Sequence, residues 1–198
     1  MSYKIGIILG STRSNSLGSK IMDYLKNTFK STEEVEYTWI SLKDYPLPLY
    51  DHEETPLSER IQGLNDAESK WLSVIAEQDG YIMMTPEYDH AITGAFKNAL
   101  DYIGPEVDHK PVQIISYSHF SDGGMLAAES IVEILQMLKM MVLPEPVLIW
   151  NADPNFVDDG KLDMSVENSD HFAARFQDAF KDIEFYIRVL KDNPFNRE

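Results

Sequence analysis

The chain contains no cysteine, which excludes disulfide staples, thiolate nucleophiles and thiolate metal sites. Cations are scarce: 17 Lys and Arg stand against 33 Asp and Glu, a formal net charge of −16. That field repels nucleic acid, and it repels anionic nucleotides at long range. Any phosphate site must therefore be assembled locally, from backbone amides and a well-placed cation. No apolar run approaches the roughly 20 residues that cross a bilayer. Met1-Ser2-Tyr3-Lys4 leads directly into a strand, so no signal peptide is expected and the cytoplasm is the expected compartment. The five histidines, His52, His90, His109, His119 and His171, lack metal-ligand spacing, and no metal site is expected. No Ser-His-Asp set can be argued, and no internal repeat or low-complexity stretch occurs.

At 198 residues and 43% apolar content, the chain is long enough for one domain with a real core, expected over residues 1–198. Tyr3 to Leu9 (YKIGIIL) reads as a buried parallel strand. It is followed by Gly10-Ser11-Thr12-Arg13-Ser14-Asn15-Ser16 and a helix carrying Ile21, Leu25 and Phe29. A strand, a glycine, a hydroxyl-rich loop and a helix start together suit an anion. The helix end offers free amides, Ser11, Ser14 and Ser16 offer short donors, and Arg13 offers a planar fork. This is neither a Walker loop nor a Gly-x-Gly-x-x-Gly turn. A capped helix start with an incidental arginine accounts for the loop equally well.

Residues 35–42 (VEYTWISL) read as a second strand nearer a sheet edge. The Pro-rich segment 44–52 is either a packed crossover or, through Leu49 and Tyr50, the rim of a pocket. A helical pattern spans 58–77, with Trp71, Leu72 and Ile75 on its buried face. Tyr81-Ile82-Met83-Met84 is a third, central strand, ended by Pro86. Thr93 or Gly94 then opens a helix with Phe96, Leu100 and Ile103 on one face. Residues 111–116 make a fourth strand. A helix with Ala127, Ile131, Ile134, Leu135 and Leu138 follows, either packed in the core or pairing two subunits. Val147–Trp150 is the fifth strand, 151–160 a polar loop, and a long helix runs from Phe172 past Leu190, its tail fraying from Asn193. Alternating strands and helices imply an α/β three-layer sandwich: a five-stranded parallel sheet of order 2-1-3-4-5 with helices on both faces. Its ligand crevice should lie outside the first and third strands.

Thr85-Pro86-Glu87-Tyr88-Asp89, then Gly94 and Lys97-Asn98-Ala99-Leu100-Asp101, resembles the signature of the NADPH-dependent FMN reductases. That family reads TPEYN, a glycine, and an L-K-N-A-hydrophobic-D run. Gly10-Ser11-Thr12-Arg13 is similar to its Gly-Ser-x-Arg opening. Departures are Asp89 for Asn, Thr93 for Pro and Phe96 for Leu. The resemblance implies a flavodoxin-like fold, FMN as cofactor and NADPH or NADH as donor. It assigns the FMN phosphate to Ser11, Thr12, Arg13, Ser14, Asn15 and Ser16. The flavin ring goes to Thr85, Pro86, Glu87, Tyr88 and Asp89, where a carboxylate at position 89 would disfavour anionic reduced flavin. Ser116, Tyr117 and Ser118 open the third contact loop, usually glycine-rich. Here Gly123 and Gly124 remain, while Ser118, His119 and Phe120 replace smaller residues that could take positive φ cheaply.

No side chain is obliged to do chemistry, which suits an enzyme whose flavin carries the hydride. The expected function is two-electron transfer from NAD(P)H through FMN to a quinone, flavin, azo compound or similar acceptor by a ping-pong mechanism, in a homodimer or homotetramer. A flavodoxin-type electron carrier is the alternative, and a binding protein without turnover a third. Flavodoxins resemble one another in a Thr/Ser-Gly-Thr phosphate loop, which this chain lacks, and an NAD(P)H oxidation assay separates enzyme from carrier.

Overall fold

A computed structural model describes residues 2–120 and 122–195. Met1, Ser121 and the last part of the expected fraying tail, 196–198, lie outside the described residues. The elements are β1 (Tyr3–Leu9), α1 (Leu17–Thr28), β2 (Val35–Ser41), α2 (Asp66–Ala76), β3 (Gly80–Pro86), α3 (Gly94–Asp101) and β4 (Pro111–Ser118), followed by α4 (Met125–Met137), β5 (Met141–Val142), β6 (Val147–Trp150), β7 (Phe156–Val157), β8 (Lys161–Leu162) and α5 (Ser169–Asp192). The main sheet is parallel throughout, in the order β2-β1-β3-β4, with β5 and β6 both pairing β4 on its outer edge. This is the expected 2-1-3-4-5 sandwich with its fifth strand in two pieces. The break falls where Pro144 and Pro146 stand, residues that have no amide to give a ladder.

Strand alternation assigns the two faces. Ile8, Met83 and Ile114 point to one core with Trp71 and Ile75 of α2, Phe96 and Leu100 of α3, and Ile131 and Leu135 of α4. Ile7, Ile82 and Ile115 point to the other, with Ile21 and Leu25 of α1 and Phe172, Phe176 and Ile183 of α5. Both faces of the strands are covered, so their sequences are apolar without interruption. Each fully buried large side chain contributes about 1.5–3 kcal/mol.

The second helix begins at Asp66 rather than 58. Asn65 caps it, accepting from the amides of Ala67 and Glu68, while Glu68 reaches back to the Asn65 amide at 2.8 Å. The apolar residues before it, Leu57, Ile61 and Leu64, pack on the core from non-helical backbone. The loop expected at 151–160 carries a small hairpin, β7 with β8. Asn27 of α1 holds that hairpin through the carbonyls of Asp159 and Gly160.

The Pro-rich crossover is packed. Asn98 of α3 accepts from the Tyr50 amide at 2.9 Å and donates to the Pro48 carbonyl at 2.7 Å. Tyr50 lies edge-on to Tyr102, whereas Leu49 is 82% exposed. Beneath the crossover the buried Glu68 carboxylate meets His52 Nε2 at 3.1 Å and the Tyr102 hydroxyl at 3.0 Å. Burial alone would push that carboxyl up. The Asn65 amide, His52 and Tyr102 outweigh it and hold the group below the usual carboxylate range.

Candidate active site

The register aligns Leu9 with Met84 and Pro86 with Tyr117, so β1, β3 and β4 end side by side and their three exit loops meet. Ser11, Arg13, Ser16 and Leu17 line one wall of a cleft there. Pro86, Glu87 and Tyr88 line a second, and Tyr117, Ser118, His119 and Phe120 a third. The enclosed part measures about 80 Å³. That is room for a group of a few heavy atoms, well short of the roughly 300–1,000 Å³ of a pocket that encloses a whole ligand. A larger hollow of about 670 Å³ runs beside α2, away from these strand ends. Donor chemistry rather than size identifies the site.

Gly10 is the hinge of the first loop. A Cβ there would sit 2.2 Å from the Phe96 ring, so glycine is what lets α3 pack against the end of β1. Thr93 secures the same junction. Its hydroxyl donates to the Gly10 carbonyl at 2.6 Å and accepts the Phe96 amide at 3.0 Å. The family's proline is thus replaced here by a helix cap that also ties two loops together.

Ser16 caps α1 by accepting the Ser19 amide at 3.1 Å. Ahead of it, the amides of Thr12, Ser14, Asn15 and Ser16 meet no acceptor among the described residues, and the first amides of α1 are free by helix geometry. Asn15 takes φ 51°, a conformation that asparagine tolerates. Arg13 is exposed and reaches across to Tyr88, Nη1 to the hydroxyl at 3.4 Å, and this contact holds its guanidinium above the ordinary value.

Tyr117 is the residue the pattern did not single out for its hydroxyl. It is 3% exposed, and its Oη has no hydrogen-bond partner among the described residues. Burial pushes the phenol up. The Oη lies under the first turn of α1, where a Cβ on Gly18 would stand 1.9 Å from it. Buried polar atoms are almost always paired, and an orphan beside free helix amides marks a place for an acceptor.

The other expected residues serve the loops' architecture. Glu87 accepts the Ala127 amide at 3.1 Å, anchoring the first turn of α4, whose N-cap Gly124 provides no side chain. Thr85 is buried and donates to the Pro86 carbonyl. Ser116 donates to the Gly124 carbonyl at 2.7 Å and lies 3.2 Å from that of Thr85. Tyr88-Asp89-His90-Ala91 is a tight hairpin turn, with Tyr88 and Ala91 exchanging amide bonds and Asp89 and His90 at φ 49° and 66°. Asp89 is exposed, and aspartate suits that turn as asparagine does. Thr12 turns toward a separate cleft with Lys43 and Asn98, and Ser14 lies outside the lining of the cleft. Gly123 and Gly124 take φ 65° and 80°, and a Cβ on Gly124 would lie 2.3 Å from Ser116 Oγ. Ser118, His119 and Phe120 have ordinary φ values, so their replacement of smaller residues costs no backbone strain.

Among the described residues, no group of three acidic, histidine or cysteine side chains forms a metal site, and no helix is long and apolar enough to cross a membrane. The family model of the NADPH-dependent FMN reductases matches residues 3–155. An NAD(P)H-dependent FMN reductase of Nectria sp is 32% identical over 197 residues, covering 95% of this chain and 97% of that one. An NADPH azoreductase of Bacillus sp. (strain OY1-2) is 28% identical over 190 residues, 96% and 95% of the two chains. The solved flavoenzyme NAD(P)H:(acceptor) oxidoreductase from Paracoccus denitrificans superposes with a TM-score of 0.73 at 21% identity, covering 94% of this chain and 98% of that one, and shares the fold. The chain belongs to the NADPH-dependent FMN reductase family.

Proposed function

We propose that the protein is an FMN-dependent NAD(P)H oxidoreductase that passes two electrons to a small aromatic acceptor, a quinone or an azo compound. One observation carries this reading. In a chain of charge −16, free amides, Ser11, Ser16, Arg13 and the orphan Tyr117 hydroxyl converge where β1, β3 and β4 end. These groups fit a phosphomonoester: amides and hydroxyls donate, Arg13 neutralises, and the enclosed space suits a phosphate with the remaining ligand lying along the open side. When bound, FMN supplies hydride chemistry. Ser11, Ser16, Arg13 and Tyr117 would hold its phosphate, and Tyr88 and Phe120 line the same cleft.

Donor and acceptor are read as successive occupants of this cleft. The test is steady-state kinetics with NADPH and a quinone. Parallel double-reciprocal lines and mutual competition at high substrate are the expected result; intersecting lines contradict successive occupancy. An electron carrier would instead oxidise NADPH negligibly. The same proposal includes one domain carrying the whole function in the cytoplasm. It also includes a homodimer or homotetramer, supported by Met125 and Met137, which α4 leaves 46% and 68% exposed. Sedimentation velocity tests the assembly.

A further inference from the structure

We infer that His119, oriented by Asp153, is the acid that protonates the electron acceptor at the mouth of the cleft. The inference rests on the oxidoreductase reading above and adds a residue with a chemical role to a site otherwise built for binding.

His119 has no part in the fold. It is exposed, its φ is ordinary, and its ring joins neither core. It nevertheless lines the cleft, and its Nδ1 lies 2.6 Å from Asp153 Oδ2 on the neighbouring loop after β6. A carboxylate on Nδ1–H fixes the ring's orientation and tautomer and leaves Nε2 as the working nitrogen. Nε2 meets no other partner among the described residues.

Apart from Tyr88, the remaining groups around the cleft are committed elsewhere or cannot give a proton. Arg13 does not release its proton in the working range. Glu87 is held by the Ala127 amide, and Asp122 by that of Gly124. Tyr117 is buried, with its phenol pushed up; the Tyr88 oxygen accepts from Arg13 and keeps its own O–H, which makes it the rival that Tyr88→Phe tests. The His119 ring is the cleft side chain whose second nitrogen is left open toward the cleft, with no partner among the described residues.

The reaction needs such a group. A quinone becomes a hydroquinone by gaining two electrons and two protons. A hydride brings both electrons and one proton, leaving a negative charge on an acceptor oxygen. Transfer of Nε2–H from the imidazolium to that oxygen breaks the N–H bond, forms the O–H bond and leaves the neutral ring with its proton on Nδ1 beside Asp153, and solvent then reprotonates Nε2. An azo nitrogen is served in the same way. Ferricyanide takes single electrons and needs no proton.

The experiment compares benzoquinone with ferricyanide on FMN-loaded wild type, His119→Gln, Asp153→Asn and Tyr88→Phe, alongside FMN titration of each. His119→Gln is expected to lose about 100-fold in turnover with benzoquinone. With ferricyanide the loss should stay within about threefold, as should the change in FMN affinity. Asp153→Asn should lose about tenfold with benzoquinone, and 15N NMR of the deprotonated, neutral ring should show the Nδ1-protonated tautomer of the wild type giving way to a mixture. Equal losses with both acceptors, or none, overturn the role. So does a benzoquinone-specific loss in Tyr88→Phe with none in His119→Gln. A wild type that fails to bind FMN refutes the oxidoreductase reading itself, a result distinct from all of these.

Discussion

Tyr102 and Tyr117 are buried to the same degree, 1% and 3% exposed, and their hydroxyls are treated in opposite ways. Tyr102 Oη lies 3.0 Å from Glu68 and 3.1 Å from the Pro48 carbonyl, inside a network that also satisfies His52 and the Asn65 amide. Tyr117 Oη has no partner among the described residues. A satisfied buried network fixes structure. An unsatisfied hydroxyl lowers stability by roughly 1–3 kcal/mol unless something outside the chain completes it. The contrast separates a half of the molecule that clamps its own crossover from a half that leaves a buried donor over.

The largest effect is expected in the clamp. Glu68→Ala strands the Tyr102 hydroxyl, His52 and the Asn65 amide together, and should cost about 3–5 kcal/mol in denaturant unfolding. Its carboxyl is held below the usual range when folded, so its contribution is complete above about pH 4.3. That contribution disappears as pH falls through the lower folded value. The stability gap between wild type and Glu68→Gln should therefore be full at neutral pH and close in acid. A gap that widens in acid would mean the carboxyl is not stabilised by its partners.

In the other half the effects should fall on ligand rather than fold. Arg13→Ala should weaken FMN about 10- to 100-fold, the range for a charge-assisted hydrogen bond, and leave riboflavin, which lacks the phosphate, alone. Equal loss of both flavins would make Arg13 a structural residue. Tyr117→Phe sharpens the comparison most. FMN affinity should drop about five- to tenfold, while the ligand-free protein stays as stable or gains up to about 1 kcal/mol by losing an unpaired hydroxyl. If that variant unfolds more readily without ligand, Tyr117 resembles Tyr102 after all.

The smallest effect should come from Asp89, a turn residue at φ 49°. Asp89→Asn should stay within about 0.5 kcal/mol, while Asp89→Val, β-branched in the left-handed region, should cost at least about 1 kcal/mol. Similar melting temperatures for all three would show that the turn does not demand its residue type.

The strands were legible because covering both faces leaves an apolar run, and YKIGIIL and YIMM carry little else. The start of α2 was not, because Leu57, Ile61 and Leu64 mimic helical spacing while packing from irregular backbone. The informative cue was Asn65 followed three residues later by Glu68. Local chemistry also revealed the first loop: Ser16 caps α1 from four residues away or fewer, and Arg13 stands beside it. What could not be read is carried by long-range contacts. Glu87 meets an amide 40 positions on, Thr93 bonds to Gly10, and the Tyr117 hydroxyl acquires meaning only under Gly18. The side chain at 87 anchors a helix as well as lining the cleft, a contact that the motif does not show.

The central claim is that the ends of β1, β3 and β4 form a site for a flavin phosphate. Calorimetric titration of the purified protein with FMN and with riboflavin tests it most directly. One FMN per chain should bind at micromolar or tighter affinity, with riboflavin at least about tenfold weaker. Failure to bind FMN, or equal affinity for the two flavins, would contradict it.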